Sequence, residues 1–141
     1  MQSLRLYADK PGPFYPAGAA LRLLYRDGAD LMPATVLRCF DPAYVAAQAS
    51  VLTVKGGRGQ TLLFTLDSKD LVLRRYLRGG LWGKLMGDKC CLLFKTSQRA
   101  AAEFALLERL AAQGLFVPTP LWGLEARSGL WVRNALITYQ I

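Results

Sequence analysis

The sequence of 141 residues contains no histidine and only three cysteines. The absence of histidine removes the most frequent general base, the usual zinc-ligand combinations and every catalytic triad that uses an imidazole. Cys90 and Cys91 are adjacent and the total is odd, so neither the spacing nor the number indicates a disulfide framework. We expect the cysteines to be packing residues in a reducing compartment.

Long apolar runs are absent as well. A run such as Cys90 to Phe94 is far shorter than the roughly 18 residues that a membrane span requires. The segment from Met1 to Phe14 has an acidic residue and two prolines where a signal peptide needs an apolar core. These features predict a single globular domain that is made and kept in the cytoplasm.

Acidic residues are scarce relative to basic ones. Eighteen Lys and Arg residues stand against ten Asp and Glu residues, which gives a formal net charge of +8. Such a surface favours anionic partners, which include nucleic acids, nucleotide phosphates and membranes rich in acidic lipid. The strands lack the interleaved aromatic residues with which single-strand binders stack bases, so nucleic acid is not an expected partner.

Residues 1–48 are predicted to form an N-terminal extension with one short helix, for which Asp41 is the N-cap and Pro42 the first helical residue. The segment GAALRLLY within this extension fits either a short helix or a strand. Residues 49–141 are better patterned, and we assign them to one lobe. Three strands are predicted in ASVLTV, TLLFTL and LVLRRY, and two more follow the main helix in LWGLEARSGLWV and NALITYQI.

The main helix is predicted in TSQRAAAEFALLERLAAQG, where Thr96 or Ser97 is the N-cap and Gly114 supplies the left-handed stop. The spacing of Phe104, Leu107 and Ala111 predicts a buried stripe, and Glu103 lies beside it. The order β-β-β-α-β-β predicts an α+β fold with a five-stranded antiparallel sheet and one main helix.

The connection KGGRGQ between the first two strands fits two interpretations: a plain turn, or a loop that lies across phosphates. The order of the elements favours the second. A glycine-rich turn, a cation on the third strand and a helix with a carboxylate at its inner edge form the layout of a protein-kinase N-lobe. Glycines let backbone amides approach a triphosphate, and the helix carboxylate holds the cation that neutralises the phosphates.

Arginine stands where kinases normally place the third-strand lysine. Arg74 and Arg75 are the candidates, and Arg74 is preferred because it shares a strand face with Val72, as in the A-x-K pair of kinases. Arginine binds phosphate through two N–H donors at once. Its side chain is longer than that of lysine and ends in a planar group, so we expect the geometry of the phosphate contact to differ from that of a lysine. Twenty-nine positions separate Arg74 from Glu103 along the sequence, and the basic segment between them accounts for this long interval.

The segments LVLRRYLRGGLWGKL and RAAAEFALLERLAAQGLFVPTPLWG resemble the 3-deoxy-D-manno-octulosonic acid (Kdo) kinases of lipopolysaccharide synthesis. FDPAYV, GGRGQT and ALIT fit the same pattern, so the resemblance covers residues 38–141. It implies an ATP- and Mg²⁺-dependent kinase that phosphorylates the Kdo sugar of a lipid A precursor at the cytoplasmic face of the bacterial inner membrane. The related heptose kinases share the GxWG pattern of Gly80 to Gly83 and remain an alternative. The residues expected to bind ATP are Gly56, Gly57, Gly59, Gln60, Arg74, Arg75, Glu103, Thr138 and Ile141.

The sequence departs from the kinase pattern because it contains neither H-R-D-x-x-x-x-N nor D-F-G. The base and the Mg²⁺ ligands are therefore expected on a C-lobe beyond the hinge at residue 141, and we predict no metal ligand and no kinase activity for these residues alone. A further alternative is a non-catalytic basic module that binds nucleic acid or a membrane surface. In the basic segment 74–95, Arg78, Trp82, Lys84 and Lys89 are the candidate contacts with the acceptor and the membrane.

Overall fold

The computed structural model describes residues 1–12, 15–28, 32–47, 52–56, 59–76, 90–91, 98–128 and 131–140. The described residues form eight strands and three helices. The strands are β1 (Gln2–Tyr7), β2 (Ala20–Tyr25), β3 (Leu52–Gly56), β4 (Gly59–Leu66), β5 (Lys69–Tyr76), β6 (Cys90–Cys91), β7 (Pro120–Ser128) and β8 (Trp131–Tyr139). The helices are α1 (Pro33–Cys39), α2 (Pro42–Ala46) and α3 (Arg99–Ala112).

Seven of the strands form one antiparallel sheet in the order β1-β2-β7-β8-β5-β4-β3, and the short β6 pairs with β8 off this path. Strands β3, β4, β5, β7 and β8 with helix α3 have the predicted β-β-β-α-β-β order, so the kinase-like α+β fold is confirmed. The predicted number of five strands is wrong, because the described residues form eight. Two strands of the first 48 residues enlarge the sheet, because β2 pairs with β7 from Ala20↔Arg127 to Tyr25↔Trp122. The segment GAALRLLY is therefore a strand.

One face of the sheet, here called the core face, is covered by α1 and α2. Alternate residues of the strands point to this face, among them Leu21, Leu23, Leu73 and Ile137, and all of these are buried. Phe40, which follows α1, is fully buried in the same cluster. Helix α1 was not predicted from the sequence, whereas α2 was. Its predicted N-cap is confirmed, since the side chain of Asp41 accepts a hydrogen bond of 2.9 Å from the backbone nitrogen of Ala43.

The other face, here called the helix face, is covered by α3, which contacts β7 and β8. Phe104 and Ala100 of α3 are fully buried against Leu24 and Leu136 of the sheet. The start of the helix is held by Asn134 of β8, whose Oδ1 accepts a buried hydrogen bond of 3.1 Å from the nitrogen of Ala100. This bond satisfies a backbone donor that has no partner within the helix.

The ends of α3 agree with the sequence only in part. Gly114 has φ of 82°, so the predicted left-handed stop is confirmed. Thr96 and Ser97, the predicted caps, lie outside the described residues.

The predicted buried stripe of α3 is wrong at Ala111, which is exposed, while Leu107 is partly buried and Phe104 fully buried. The stripe runs instead from Ala100 through Phe104 to Leu107, which pack against the sheet, whereas residues 111–113 at the end of the helix are exposed. None of the described helices is long and apolar enough to cross a membrane.

Glu125 of β7 is a charged residue within this core. It is fully buried on the helix face, where its Oε2 lies 3.4 Å from Nη1 of Arg22 and 3.9 Å from Nη2 of Arg127. Its Oε1 has no hydrogen-bond partner among the described residues. Burial raises the pKa of Glu125 above its ordinary value, and the attraction of Arg22 and then of Arg127 opposes that rise without cancelling it. Ionised Glu125 therefore costs stability near neutral pH.

We expect Glu125→Gln to raise the thermal unfolding midpoint at pH 7 and to change it little at pH 4.5. A raised pKa adds stability that is fully present below the ordinary value of 4.5 and is lost as the pH rises through the folded-state value. The glutamine side chain does not ionise, so the variant keeps this stability at pH 7. Thermal unfolding, followed by circular dichroism at the two pH values, measures the difference between the midpoints of the variant and the wild type. Glu108→Gln, which alters a partly exposed ion pair, is the control and should give no gain at pH 7. Lower stability of the Glu125 variant at pH 7 would show that the ion pairs outweigh the burial.

Candidate functional site

The candidate site is centred on an ion pair between strand β5 and helix α3. Nη1 of Arg74 lies 2.8 Å from Oε1 of Glu103, so the contact expected from the sequence is confirmed. The side chain of Arg74 is 47% exposed and that of Glu103 is 24% exposed. The carboxylate therefore anchors the guanidinium while about half of the arginine side chain stays accessible to an anion.

The strand register explains why Arg74, and not Arg75, meets the helix. Arg74 is the cross-strand partner of Leu136, which lies under α3 on the helix face. Side chains alternate along a strand, so Val72, Arg74 and Tyr76 point to the helix face and Arg75 points away from it. On the helix, Glu103 follows the partly buried Ala101 and precedes the buried Phe104, which brings its carboxylate to the edge of the packed surface.

Tyr76 is a member of the site that the sequence analysis missed. Its hydroxyl donates a hydrogen bond of 2.6 Å to Oε2 of Glu103, so the two carboxylate oxygens have different partners. The guanidinium carbon of Arg99 lies 4.6 Å from the centre of the Tyr76 ring, in a cation–π contact. The available signal was the position of Tyr76, two residues after Arg74 on the same face of a strand.

The environment of Tyr76 keeps its phenol protonated. Burial is the largest cause that raises the pKa of Tyr76 far above its ordinary value, and the hydrogen bond to Glu103 and the negative charge of that residue add to it. Arg74 and Arg99 lower the pKa by less. The neutral phenol is therefore a stable donor that fixes the orientation of the Glu103 carboxylate.

The other predicted ATP-binding residues lie around this pair or outside the described residues. Thr138 is buried and pairs with Val72 across β8 and β5. Gly56 pairs with Gly59, and Lys55 with Gln60, so β3 and β4 form the predicted hairpin. The predicted contacts that lie outside the described residues are Gly57, Arg78, Trp82, Lys84, Lys89 and Ile141. The nucleotide role of every residue named here remains a prediction.

No metal site accompanies the ion pair in the described part of the chain. Among those residues, no group of three His, Cys, Asp or Glu side chains is placed to hold a metal ion. Both oxygens of Glu103 already accept hydrogen bonds, Oε1 from Arg74 and Oε2 from Tyr76. What the described residues can do is hold a partly exposed cation in a fixed orientation, which is suited to binding an anion.

We expect Tyr76→Phe to reduce the free energy of unfolding by about 1–2 kcal/mol at pH 8, because Oε2 of Glu103 loses its donor. The raised pKa of Tyr76 gives stability that is present below pH 10.0, its ordinary value, and is lost as the pH rises further. The wild-type chain should therefore lose stability more steeply than the variant above pH 10. Urea denaturation at pH 8 and pH 10.5 measures both effects.

Tyr7→Phe is the matched control, because Tyr7 is 76% exposed and should lose nothing. If the Tyr76 and Tyr7 variants have equal stabilities at both pH values, the phenol does not support Glu103.

Comparison with known proteins gives consistent matches. A model of the "Lipopolysaccharide kinase (Kdo/WaaP) family" matches residues 43–141. A 3-deoxy-D-manno-octulosonic acid kinase of Vibrio vulnificus is 38% identical over 105 residues, which are 74% of this chain and 44% of that protein. Proteins of the same name from Actinobacillus succinogenes and Xylella fastidiosa are 40% and 33% identical, over 60% and 80% of this chain and 36% and 47% of their own lengths.

No solved structure matches the chain significantly. The chain spans less than half the length of these curated relatives. The family match covers more than two thirds of the sequence and includes β3, β4, β5 and α3, which build the Arg74–Glu103 pair. The chain therefore belongs to the lipopolysaccharide kinase (Kdo/WaaP) family.

Proposed function

We propose that this chain supplies the nucleotide-binding lobe of a kinase that transfers the γ-phosphoryl group of ATP to a hydroxyl of Kdo on a lipid A precursor. The observation that carries the proposal is the Arg74–Glu103 ion pair of 2.8 Å on the helix face, in which the side chain of Arg74 is 47% exposed. Family membership supports the reaction class, and the printed names of the relatives support Kdo as the acceptor.

The residues of this lobe have distinct tasks in the proposal. Arg74 binds phosphate oxygens of the nucleotide and offsets their charge. Glu103 holds the guanidinium in place, and Tyr76 holds Glu103 through its other oxygen. Arg74 is thus oriented before the nucleotide arrives, which lowers the cost of ordering a long side chain on binding. The β3–β4 hairpin, with Gly56 and Gly59 paired across it, covers the phosphates through its backbone.

In this proposal ATP phosphates bind Arg74, whereas the described residues include no ligand set for Mg²⁺. Thr138 and Val72 pair across β8 and β5, and Val72 shares a strand face with Arg74, so together they give the nucleotide a wall beside the cation. When bound, a divalent ion would offset phosphate charge. The sequence contains no H-R-D and no D-F-G motif, so these 141 residues alone should bind nucleotide weakly and show no turnover.

We expect Arg74→Ala to lower kinase activity on Kdo-lipid A by on the order of 100-fold, because a charge-stabilising donor is lost. The assay uses the product of the complete reading frame with ATP, Mg²⁺ and Kdo-lipid A, and detects the phosphorylated lipid by mass spectrometry. Arg38→Ala is the matched control, since Arg38 is an exposed arginine of α1, which covers the core face. Arg38→Ala should keep full activity.

Two outcomes would contradict parts of this proposal. Phosphorylation of a heptose acceptor but not of Kdo would assign the protein to the heptose kinases. Equal activity of the wild type and Arg74→Ala would remove Arg74 from the nucleotide site. A fall in activity of Arg74→Ala that leaves the unfolding midpoint unchanged separates loss of phosphate contacts from loss of the fold.

We further propose that the basic segment 74–95 contacts an anionic membrane surface, where a lipid acceptor would be found. The segment has six Lys and Arg residues and one acidic residue, Asp88. Each cation near an anionic surface contributes roughly 1 kcal/mol, and the attraction fades within a Debye length. The inner membrane is the surface that this proposal implies.

We expect binding to anionic vesicles to weaken as salt rises and to fall further when Arg78, Lys84 and Lys89 are changed to glutamine. Vesicle co-sedimentation measures both effects. A control with the same change of charge replaces three exposed cations elsewhere, Lys10, Arg38 and Arg109. An equal fall in both triple variants would show that only the overall charge of the protein matters.

A further inference from the structure

Three arginines lie close together on the helix face, at the end of the sheet that β1 and β2 add. Arg5 of β1 is directly opposite Arg22 of β2, and Arg22 is directly opposite Glu125 of β7. Arg127 follows Glu125 by two residues on the same strand, so it points to the same face. We call Arg5, Arg22 and Arg127 the arginine cluster.

The charge within the arginine cluster is not balanced by the described residues. Glu125 is the carboxylate that approaches it, at 3.4 Å from Arg22 and 3.9 Å from Arg127. Arg5 makes no hydrogen bond or ion pair with any described residue, although its charge also attracts Glu125, and it lies opposite another arginine. Like charges directly opposite each other in a sheet are destabilising. Three guanidinium groups around one buried carboxylate leave an excess of positive charge that an anion would offset.

A cavity of about 320 Å³ opens beside the cluster. Its lining includes all three arginines, Tyr7 of β1, and Gln98 immediately before α3. The first turn of α3 has no acidic residue, so no negative charge within that turn offsets the positive end of the helix dipole. The dipole of this 14-residue helix therefore adds to the attraction that the arginines exert on an anion.

We propose that this cavity binds a phosphate monoester group, carried either by a soluble phosphorylated compound or by a lipid headgroup. Arginine suits this ligand, because its planar fork of N–H donors matches the spacing of phosphate oxygens. Glu125 lies beneath the cluster in the sheet and holds Arg22, whose side chain is 26% exposed. Arg5 and Arg127 are more exposed and make the outer contacts.

This site is separate from the Arg74–Glu103 pair. Strand β8 lies between β5, which carries Arg74, and β7, which carries Arg127. Helix α3 lies over β7 and β8. Because the arginine cluster contains none of the residues assigned to the nucleotide, the inference does not depend on the proposed kinase activity.

The test is an NMR titration of the ¹⁵N-labelled chain with inorganic phosphate and with glycerol 3-phosphate at constant ionic strength. We expect saturable shifts of the Nε–H signals of the three arginines and of the Gln98 amide. Arg5→Gln and Arg127→Gln should each weaken the binding about tenfold, since each removes a charge-assisted donor. The matched control is Arg38→Gln, which removes the same charge from the opposite side of the sheet and should bind like the wild type.

A second arm identifies the source of the phosphate. Vesicles of phosphatidylcholine with phosphatidic acid present a phosphate monoester. Vesicles with a larger fraction of phosphatidylglycerol, chosen to give the same surface charge, present a diester, because a monoester carries more than one negative charge near neutral pH. Stronger binding to the monoester vesicles that Arg5→Gln reduces assigns the site to a lipid headgroup. Saturable binding of soluble phosphate without that preference assigns it to a soluble compound. The proposal is wrong if neither form saturates, or if Arg38→Gln weakens binding as much as Arg5→Gln does.

Discussion

The central hairpin of β7 and β8 must be covered on both of its faces, and the rest of the structure follows from that requirement. Nearly every side chain from Pro120 to Ala126 and from Val132 to Thr138 is buried or partly buried. A hairpin that is buried on both faces needs a layer on each side. Helices α1 and α2 cover one side, and α3 covers the other. The position of α3 then decides where Glu103 lies.

Helix α3 is fixed by two kinds of contact that act on different parts of it. Phe104 packs against Leu24 and Leu136, which sets the distance of the helix from the sheet. The bond from Ala100 to Asn134 is directional, so it sets the position of the helix along β8. Once both are satisfied, Glu103 lies within reach of β5 without further adjustment. The Arg74–Glu103 pair is therefore a consequence of packing as much as of charge.

The parts of the fold that the sequence predicted are those with local signals. Alternation identified β3, β4 and β5, helix periodicity identified α3, and Asp41 and Gly114 marked the ends of helices. The pairing of β2 with β7 joins residues about a hundred positions apart, and no local pattern encodes it. Helix α1 has no side-chain cap and no acidic first turn, so only Pro33 at its start and Arg38 in its last turn marked it in the sequence.

The Arg74–Glu103 pair could be predicted from the sequence, whereas the hydrogen bond from Tyr76 that orients Glu103 could not. The order of elements in a kinase N-lobe predicted a cation on the third strand and a carboxylate on the main helix. The alternation of side chains along the strand then selected Arg74, because it shares a face with Val72. Tyr76 shares the strand face of Arg74, but that position alone does not mark it as a partner of Glu103, and Glu125 gave no local signal. A tyrosine on a strand is ordinary, and the burial of Glu125 depends on α3, β2 and β8 together.

The Arg74–Glu103 pair and the arginine cluster both lie on the helix face, but their carboxylates belong to different elements. Glu103 belongs to α3, so its bond with Arg74 exists only while the helix is docked on the sheet. Glu125 belongs to β7, so it stays with Arg22 wherever the helix lies. An anion that binds Arg74 best when Glu103 orients it also favours the docked helix, because a ligand stabilises the state that it binds more tightly.

Asn134 lies between the Arg74–Glu103 pair and the arginine cluster: it holds the start of α3 and is the cross-strand partner of Glu125. The start of α3 is therefore attached to β8 at the residue directly opposite Glu125.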